Sequence, residues 1–308
     1  MNASAYTNNT ITLLCLEGVG PANIRKCNDE LAVDLSIQEL QALTHKILGK
    51  SYSEHQIKLA KDLTKKTLDI CDKNSIKILT ESQLPTSLSG LKNPPAILYC
   101  LGSPPNDLDE TTAVIGTRSP CNEAISATEL ISAQLVSNNS VIVSGLALGI
   151  DSIAQQYSVS KNKRTIAVIG SGLLNIYPPQ NSGLAKSIIE NQGCLLSEYA
   201  PNTSMQNYML VSRDRIQAGI AKKLVLIQSK VDGGSMHATK EMMRLGRPVY
   251  FVNYDQGNIS ESDISGNLSL KNKLNCEELN YSDIISNKHI FTGIYKNISI
   301  KKQDSFDF

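Results

Sequence analysis

The chain has 308 residues, with 30 Lys and Arg against 29 Asp and Glu, and 41% of its residues are hydrophobic. This length predicts one large domain, or one large and one small domain, each able to bury a core. The net charge of +1 excludes a protein whose whole surface is basic, but it is compatible with a local basic pocket. The longest apolar run, at 141–150, is too short to cross a bilayer, and the N-terminus lacks the features of a secretory signal. We therefore expect a cytoplasmic protein without a membrane span.

The first segment, residues 1–75, is predicted to be a small helical domain. Ser36 with Glu39 and Ser53 with Gln56 have the spacing of a capping box, and apolar residues follow each pair at helical spacing. Residues 16–21 read Leu-Glu-Gly-Val-Gly-Pro, the pattern of a helix–hairpin–helix turn that binds a nucleic-acid phosphate through backbone N–H groups. The same pattern also fits a plain turn between two helices.

From residue 76 onward, short β-rich runs alternate with helical stretches such as 123–136 and 236–245. The predicted strands are continuous apolar runs, typical of strands buried on both faces, at 97–101, 112–115, 141–143, 165–169, 193–196, 223–227 and 249–252. Repeated strand–helix–strand units predict an α/β domain with a Rossmann-like, doubly wound and mostly parallel sheet over residues 76–287. A polar tail is expected at 288–308.

Four of the predicted strand ends carry Gly and Ser. Ligands of open parallel sheets bind at the carboxyl ends of the strands, where glycine lets the backbone approach and helix N-termini favour anions. Turns of α/β proteins also need glycine for their geometry alone. The residues of these four loops that we predict to bind phosphate are Gly116, Thr117, Ser144, Gly145, Gly170, Ser171, Gly172, Gly233, Gly234 and Ser235.

Three arginines complete this predicted phosphate site. Arg118 follows the glycine of the first loop, where a guanidinium can bind a phosphate through two N–H groups or form a surface ion pair. Arg213 and Arg215 flank Asp214 at the start of another predicted helix, where Asp214 can act as a helix cap. The basic tract at 161–164 precedes a strand, so we place it at the opposite edge of the sheet as a solvated loop.

Catalytic signals are weak in this sequence. It contains no dinucleotide fingerprint, P-loop, nucleophile elbow or metal-ligand spacing, so we predict no catalytic residue, no cofactor and no metal site. His237 and Glu241 are four residues apart on a predicted helix and share a face, either as an acid–base pair or as a surface pair.

Seven ordered motifs over residues 84–283 resemble those of the DNA-processing protein A family, also called Smf. They include Gly-Thr-Arg at 116–118, Ser-Gly-Leu-Ala-Leu-Gly-Ile-Asp at 144–151, Ile-Tyr-Pro-Pro-Gln-Asn at 176–181 and Arg-Asp-Arg at 213–215. The resemblance implies a non-enzymatic protein that binds single-stranded DNA, forms a homodimer and loads a RecA-type recombinase during natural transformation. Arg118 and Arg215 would then bind phosphates, and Tyr177 and Tyr199 would offer faces for bases.

The chain departs from this family pattern at four places. Leu148 stands where a basic residue is often found, Gln155 stands in place of a histidine, and Asp214 stands in place of the asparagine of Arg-Asn-Arg. About 25 polar residues follow Asp283, which leaves no room for the winged-helix domain of many members. Because Leu148 and Asp214 both reduce the positive charge of the predicted pocket, we expect DNA binding with a shallower salt dependence than in a typical member.

The alternative function is a nucleotide-binding sensor or a phosphoribohydrolase-like enzyme on the same fold. Gly233-Gly234-Ser235 with Glu241 partly matches the motif of nucleoside-monophosphate phosphoribohydrolases. However, His237 and Ala238 occupy the positions where that motif has Gly and Thr.

Overall fold

The computed structural model describes residues 3–255 and 259–290. The N-terminal segment is helical, as predicted, with α1 (Ala3–Leu14), α2 (Pro21–Ile24), α3 (Ile37–Leu48) and α4 (Glu54–Lys73). Both predicted capping boxes are present. The hydroxyls of Ser36 and Ser53 accept the N–H groups of Glu39 and Gln56, whose side chains accept the N–H groups of the two serines in return.

The remaining described residues contain the strands β1 (Ile76–Thr80), β2 (Ile97–Gly102), β3 (Thr111–Ile115), β4 (Val141–Ser144), β5 (Thr165–Val168), β6 (Cys194–Ser197), β7 (Lys223–Leu226), β8 (Val249–Asn253) and β9 (Cys276–Asn280). Together they form a nine-stranded sheet in the order β1-β2-β6-β5-β4-β3-β7-β8-β9. β2 runs antiparallel to both of its neighbours, whereas all pairs from β6 across to β9 are parallel. This is the mostly parallel, Rossmann-like sheet that the sequence predicts.

Helices connect the parallel strands and cover both faces of the sheet. They are α5 (Asn122–Ser137), α6 (Ile150–Ser160), α7 (Ser182–Glu190), α8 (Asn207–Ile220), α9 (Ser235–Arg244), α10 (Ser265–Leu268) and α11 (Tyr281–Ile285). The alternation of side chains along β3 shows how the two layers form. Val114 packs in a core with α5, α6 and α11, whereas Ala113 and Ile115 pack in a second core with α8 and α9.

The order of the strands reverses at β3. The chain proceeds from β3 through β4 and β5 to β6 in one direction, and α8 then carries it back to β7 on the other side of β3. A crevice at the carboxyl ends of the strands is expected beside such a topological switch point. The fold therefore directs attention to the loops that follow β3 and β7.

The seven strands predicted from the sequence are all confirmed, to within two residues at either end. The two edge strands, β1 and β9, were not predicted. The N-terminal helices share a core with the β1–β2 end of the sheet, where Ile11 and Cys71 pack with Ile97 and Tyr99. Within the described ranges, no helix combines the length and the apolar character that crossing a membrane requires. Most of the predicted polar tail, from residue 291, lies outside the described residues.

Candidate functional site

A cleft of about 840 Å³ opens at the carboxyl edge of the sheet, where β3 and β7 lie side by side. The loop after β3, the loop after β7 and the first half of α8 form its walls. Of the residues predicted to bind phosphate, those that line it are Gly116, Thr117, Arg118, Arg213, Gly233, Gly234 and Ser235. The structure thus brings two of the four predicted loops together in one cleft at the switch point.

Arg118 is exposed at the mouth of this cleft and makes no hydrogen bond or ion pair within the part of the chain that the structure describes. Its loop rests on the start of α6, where the N–H of Ile150 donates to the carbonyl of Thr117 at 3.2 Å. Gly149 makes this contact possible. Its φ is +78°, and a Cβ there would lie 2.5 Å from the Thr117 carbonyl oxygen and 2.8 Å from that of Arg118. The missing side chain of Gly149, which ends the Ser-Gly-Leu-Ala-Leu-Gly run, therefore lets the loop that carries Arg118 pack against the start of α6.

Gln228 joins the two loops that form the cleft. Its carbonyl accepts the N–H of Thr117 at 2.7 Å, and its side-chain oxygen accepts the N–H of Cys121 at 3.1 Å. Gln228 is buried, so these bonds are protected from water. Sequence reasoning missed this residue, because a glutamine after a strand has no pattern of its own.

The N-terminus of α9 lines the same cleft as Arg118. The N–H groups of Gly234 and Ser235 have no acceptor among the described residues, so they are available to an anion. The hydroxyl of Ser235 donates to that of Ser229 at 2.7 Å, and the N–H of Ser229 donates to the side chain of buried Asn267 at 2.9 Å. Asn267 also donates to the carbonyl of Ile227, at 2.7 Å, so this one side chain holds two points of the segment after β7.

Arg213 lines the cleft but is buried in a network of its own. It donates to the Val168 carbonyl at 2.8 Å and to the Gln217 side chain at 3.2 Å. Its guanidinium also lies 3.0 Å from Asp214 and 3.9 Å from Asp151. With 6% of its surface exposed, Arg213 braces α8 against the sheet, and it presents no free guanidinium to a ligand.

Arg215 lies away from the cleft. Its guanidinium donates to both carboxylate oxygens of Glu198 at 2.7 Å, and the side chains of the two residues are 17% and 14% exposed. Burial raises the pKa of Glu198, while the Coulomb attraction of Arg215 and its hydrogen bond oppose that rise. The structure therefore does not bring Arg215 together with Arg118, as the sequence prediction required.

The second and third predicted loops pack mainly against protein. The Ser144 hydroxyl donates to the Val114 carbonyl at 2.7 Å, and the N–H of Gly145 donates to Asp151 at 3.0 Å. Gly170, Ser171 and Gly172 are not among the residues that line the cleft. Their glycines allow close contact with the backbone of α8 and of the loop before it, at Met209, Ala200 and Pro201.

A smaller pocket adjoins the cleft at Arg118. Leu148, Tyr177 and Leu210 line it together with Gly145. Tyr177 is 38% exposed and Leu148 is 39% exposed, so both present apolar surface to a ligand. Tyr199, the other predicted aromatic face, is half-buried and does not line either pocket.

Four carboxylates line the cleft, and sequence reasoning anticipated only one of them, Asp214. The others are Asp151, Asp232 and Asp263. Burial raises the pKa of Asp214 to about 7, with Arg213 lowering it, Asp151 raising it and Arg118 lowering it by smaller amounts. Lys230, also missed, lines the cleft and pairs with Asp263 at 3.2 Å.

Two weaker sequence signals are not supported by the geometry. Glu241 binds Arg244, with 2.7 Å between the Glu241 oxygen and the Arg244 Nη2, and no contact joins it to His237 within the described ranges. In the hairpin turn, the N–H of Gly20 donates to the Asn23 side chain at 2.9 Å and that of Val19 to the Leu16 carbonyl. Two N–H groups of this segment are therefore used within the chain and are not open to a phosphate.

Comparisons with known proteins agree on one family. Residues 75–287 match the family model described as DNA recombination-mediator protein A. The chain is 32% identical over 180 residues to DNA processing protein DprA of Bacillus subtilis, and the match covers 58% of this chain and 60% of that protein. This chain spans about three-fifths of the length of that protein and of other curated relatives.

Two solved structures share the fold. The structure of DNA processing protein A from Streptococcus pneumoniae superposes with a TM-score of 0.72 at 21% identity, covering 93% of this chain and 98% of that chain. A structure of DNA processing protein A from Helicobacter pylori, which concerns the single-stranded DNA binding mode of that protein, has a TM-score of 0.58 at 28% identity. It covers 69% of this chain and 96% of the other.

Proposed function

The chain belongs to the DNA recombination-mediator protein A family, and on this premise we propose that it binds single-stranded DNA in the cleft between the loops after β3 and β7. It binds the strand without catalysing a reaction on it. Family membership and the structure of the Helicobacter pylori relative support a DNA ligand over a mononucleotide. Glu241 is bound by Arg244, and within the described residues no hydrogen bond or ion pair joins it to His237, which gives no support to the hydrolase alternative.

The observation that carries the proposal is the guanidinium of Arg118. It is exposed, has no partner in the described structure and lines the same cleft as Gly234 and Ser235, whose N–H groups are open. A guanidinium and a helix N-terminus that face the same space can hold one phosphodiester group through charge-assisted hydrogen bonds. We assign the phosphate contacts to Arg118, to this end of α9 and to Lys230.

The form of the cleft fits a polymer with weak sequence preference. Its cationic groups and backbone N–H groups contact phosphates, which every sequence presents alike. Tyr177, at the edge of the adjoining pocket, offers an aromatic face to a base that lies next to a bound phosphate. The chain's low aromatic content, 5%, fits binding in which phosphate contacts dominate.

Two partners follow from the family resemblance. We propose that the protein forms a homodimer, because two clefts on one short strand would neutralise several phosphates at once. We further propose that it transfers the bound strand to a RecA-type recombinase in the cytoplasm, as in DNA-mediated transformation.

The test is a pair of single substitutions. Arg118→Ala removes the free guanidinium of the cleft, whereas Lys161→Ala removes one positive charge just after α6, at the opposite edge of the sheet. Losing one charge-assisted contact costs about 1.5–3 kcal/mol, so Arg118→Ala should weaken binding of a labelled oligo-dT about 10- to 150-fold. Lys161→Ala should leave the dissociation constant within twofold. Equal effects of the two substitutions would refute the assignment of the cleft.

A further inference from the structure

Two carboxylates share one guanidinium beneath the cleft. Arg213 lies 3.0 Å from Asp214 and 3.9 Å from Asp151, and the side chains of all three residues are at most 12% exposed. With all three groups ionised, this buried cluster carries a net negative charge. Such a charge is costly in a low-dielectric interior, and a proton on one carboxylate removes it.

Both carboxylates are buried, and burial raises the pKa of each. Asp151 accepts the N–H of Gly145 at 3.0 Å, a bond that favours its ionised form, so we place the proton on Asp214. Asp214 has no such bond in the described structure, and its recorded partner is the guanidinium of Arg213. Burial, the largest influence, raises the pKa of Asp214 to about 7.

The positive and negative side chains that line the cleft are nearly equal in number, so one proton decides whether their net charge is negative or zero. The cationic side chains that line the cleft are Arg118, Arg213 and Lys230. The anionic ones are Asp151, Asp214, Asp232 and Asp263. The remaining titratable group in the lining is the thiol of Cys121, and α9 contributes Ser235 and Ala238, which do not titrate. Ionised Asp214 leaves an excess of carboxylates that repels a phosphodiester, whereas protonated Asp214 brings the lining to neutrality.

We propose that Asp214 is a proton-operated gate on this cleft: the DNA backbone binds while Asp214 is protonated and is released when Asp214 ionises. The proposal rests on the proposed function and adds to it the residue that sets its dependence on pH. When Asp214 is neutral, Asp151 alone pairs with the guanidinium of Arg213. The negative charge of Asp214 then no longer offsets the positive charge of Arg118.

The size of the effect follows from the fraction of protein that is competent to bind. With the pKa of Asp214 at about 7, protonated molecules fall from about nine-tenths at pH 6 to about one-tenth at pH 8. Since the apparent dissociation constant scales inversely with the competent fraction, affinity should fall about tenfold between these two pH values.

The experiment measures binding of a labelled oligo-dT at pH 6 and pH 8, at constant ionic strength, with the full chain. The wild type should bind about tenfold more weakly at pH 8. Asp214→Asn, which keeps the shape and removes the charge, should bind equally at both pH values and as tightly as the wild type at pH 6. His237→Asn removes the exposed imidazole at the start of α9, a side chain that does not line the cleft. This control variant should retain the tenfold ratio.

A tenfold ratio that persists in Asp214→Asn, or that is absent from the wild type, refutes the gate while leaving DNA binding in place. Absence of binding by every variant at both pH values refutes the proposed function as well. Calorimetric titration of the wild type in buffers of different ionisation enthalpy gives a readout that needs no substitution. Binding at pH 7 should take up about half a proton per cleft, and zero uptake would overturn the gate.

Discussion

Gly145 is the position at which one added methyl group should disturb the buried arginine most. A Cβ at this residue would lie 1.4 Å from Nη1 of Arg213 and 2.2 Å from its Nη2, so the guanidinium would have to move. An exposed arginine would swing away at little cost. Arg213, however, would have to give up its bonds to the Val168 carbonyl and the Gln217 side chain, and its carboxylate partners would remain buried. Breaking a buried ion pair of this kind costs about 3–5 kcal/mol, which is the loss of stability that we expect for Gly145→Ala.

Urea denaturation of the wild type and of two glycine variants measures this loss. Gly183 lies in the first turn of α7 with open space around it, so Gly183→Ala should be neutral or should stabilise the protein by up to about 1 kcal/mol. In an Arg213→Ala background, Gly145→Ala should add less than about 1 kcal/mol, because the group that it displaces is absent. A Gly145→Ala protein within about 1 kcal/mol of the wild type would refute the reasoning, since Arg213 would then have room to leave.

Three further variants test other parts of the structure. Replacing Arg215 and Glu198 together by glutamine should leave oligo-dT affinity within twofold, since the pair lies outside the cleft; a loss as large as that of Arg118→Ala would return Arg215 to the site. Leu148→Arg should steepen the log–log salt dependence of binding by about 0.7 and tighten binding at low salt; an unchanged slope would show that this loop does not meet phosphates. Because burial raises the pKa of Asp214 from 3.8 to about 7, its neutral form contributes stability that is fully present below about pH 4 and is lost as the pH rises to 7. Each pH unit between these two pKa values corresponds to about 1.4 kcal/mol, so Asp214→Asn should become more stable than the wild type by about 4 kcal/mol across that window in thermal or urea unfolding. A difference that does not change with pH would contradict the burial of this charge.

The sequence predicts the interior of the sheet better than its edges. Strands such as β3 and β7 are buried on both faces and read as unbroken apolar runs, so their positions follow directly from the pattern. β9 reads Cys-Glu-Glu-Leu-Asn, and Glu277 and Glu278 are exposed. An edge strand with a solvated face has no apolar run, and its neighbour β8 determines its conformation.

The position of the cleft was also predictable, but the partners of its charged residues were not. Strand ends rich in glycine, taken with the rule for parallel sheets, point to the edge at which Gly116 and Gly233 meet. An arginine after a strand looks the same in a sequence whether or not a carboxylate will reach it. Among the described residues Arg118 has no such partner, whereas Arg215 is held by Glu198, and the fold alone decides between these outcomes.

One departure from the family pattern has a structural explanation. Gln155, which replaces a histidine, is fully buried. Its side-chain oxygen accepts the N–H of Leu146 at 3.2 Å, and its amide donates to the Ile166 carbonyl at 3.1 Å. The residue therefore ties the loop after β4 to β5, a role for which an amide with one donor and one acceptor end is well suited.

The most direct test of the central claim, that the cleft binds the backbone of a single strand, is a competition at fixed salt and pH. A labelled oligo-dT is bound to the full chain, and dTMP is then added as a competitor in one series and unlabelled oligo-dT in another. We expect unlabelled oligo-dT to displace the label at micromolar concentration, whereas dTMP should fail to do so at a concentration about a thousandfold higher, because a mononucleotide makes one of several phosphate contacts. Absence of oligo-dT binding would contradict the claim. Displacement by dTMP at micromolar concentration would also contradict it and would identify the cleft as the site of a small nucleotide.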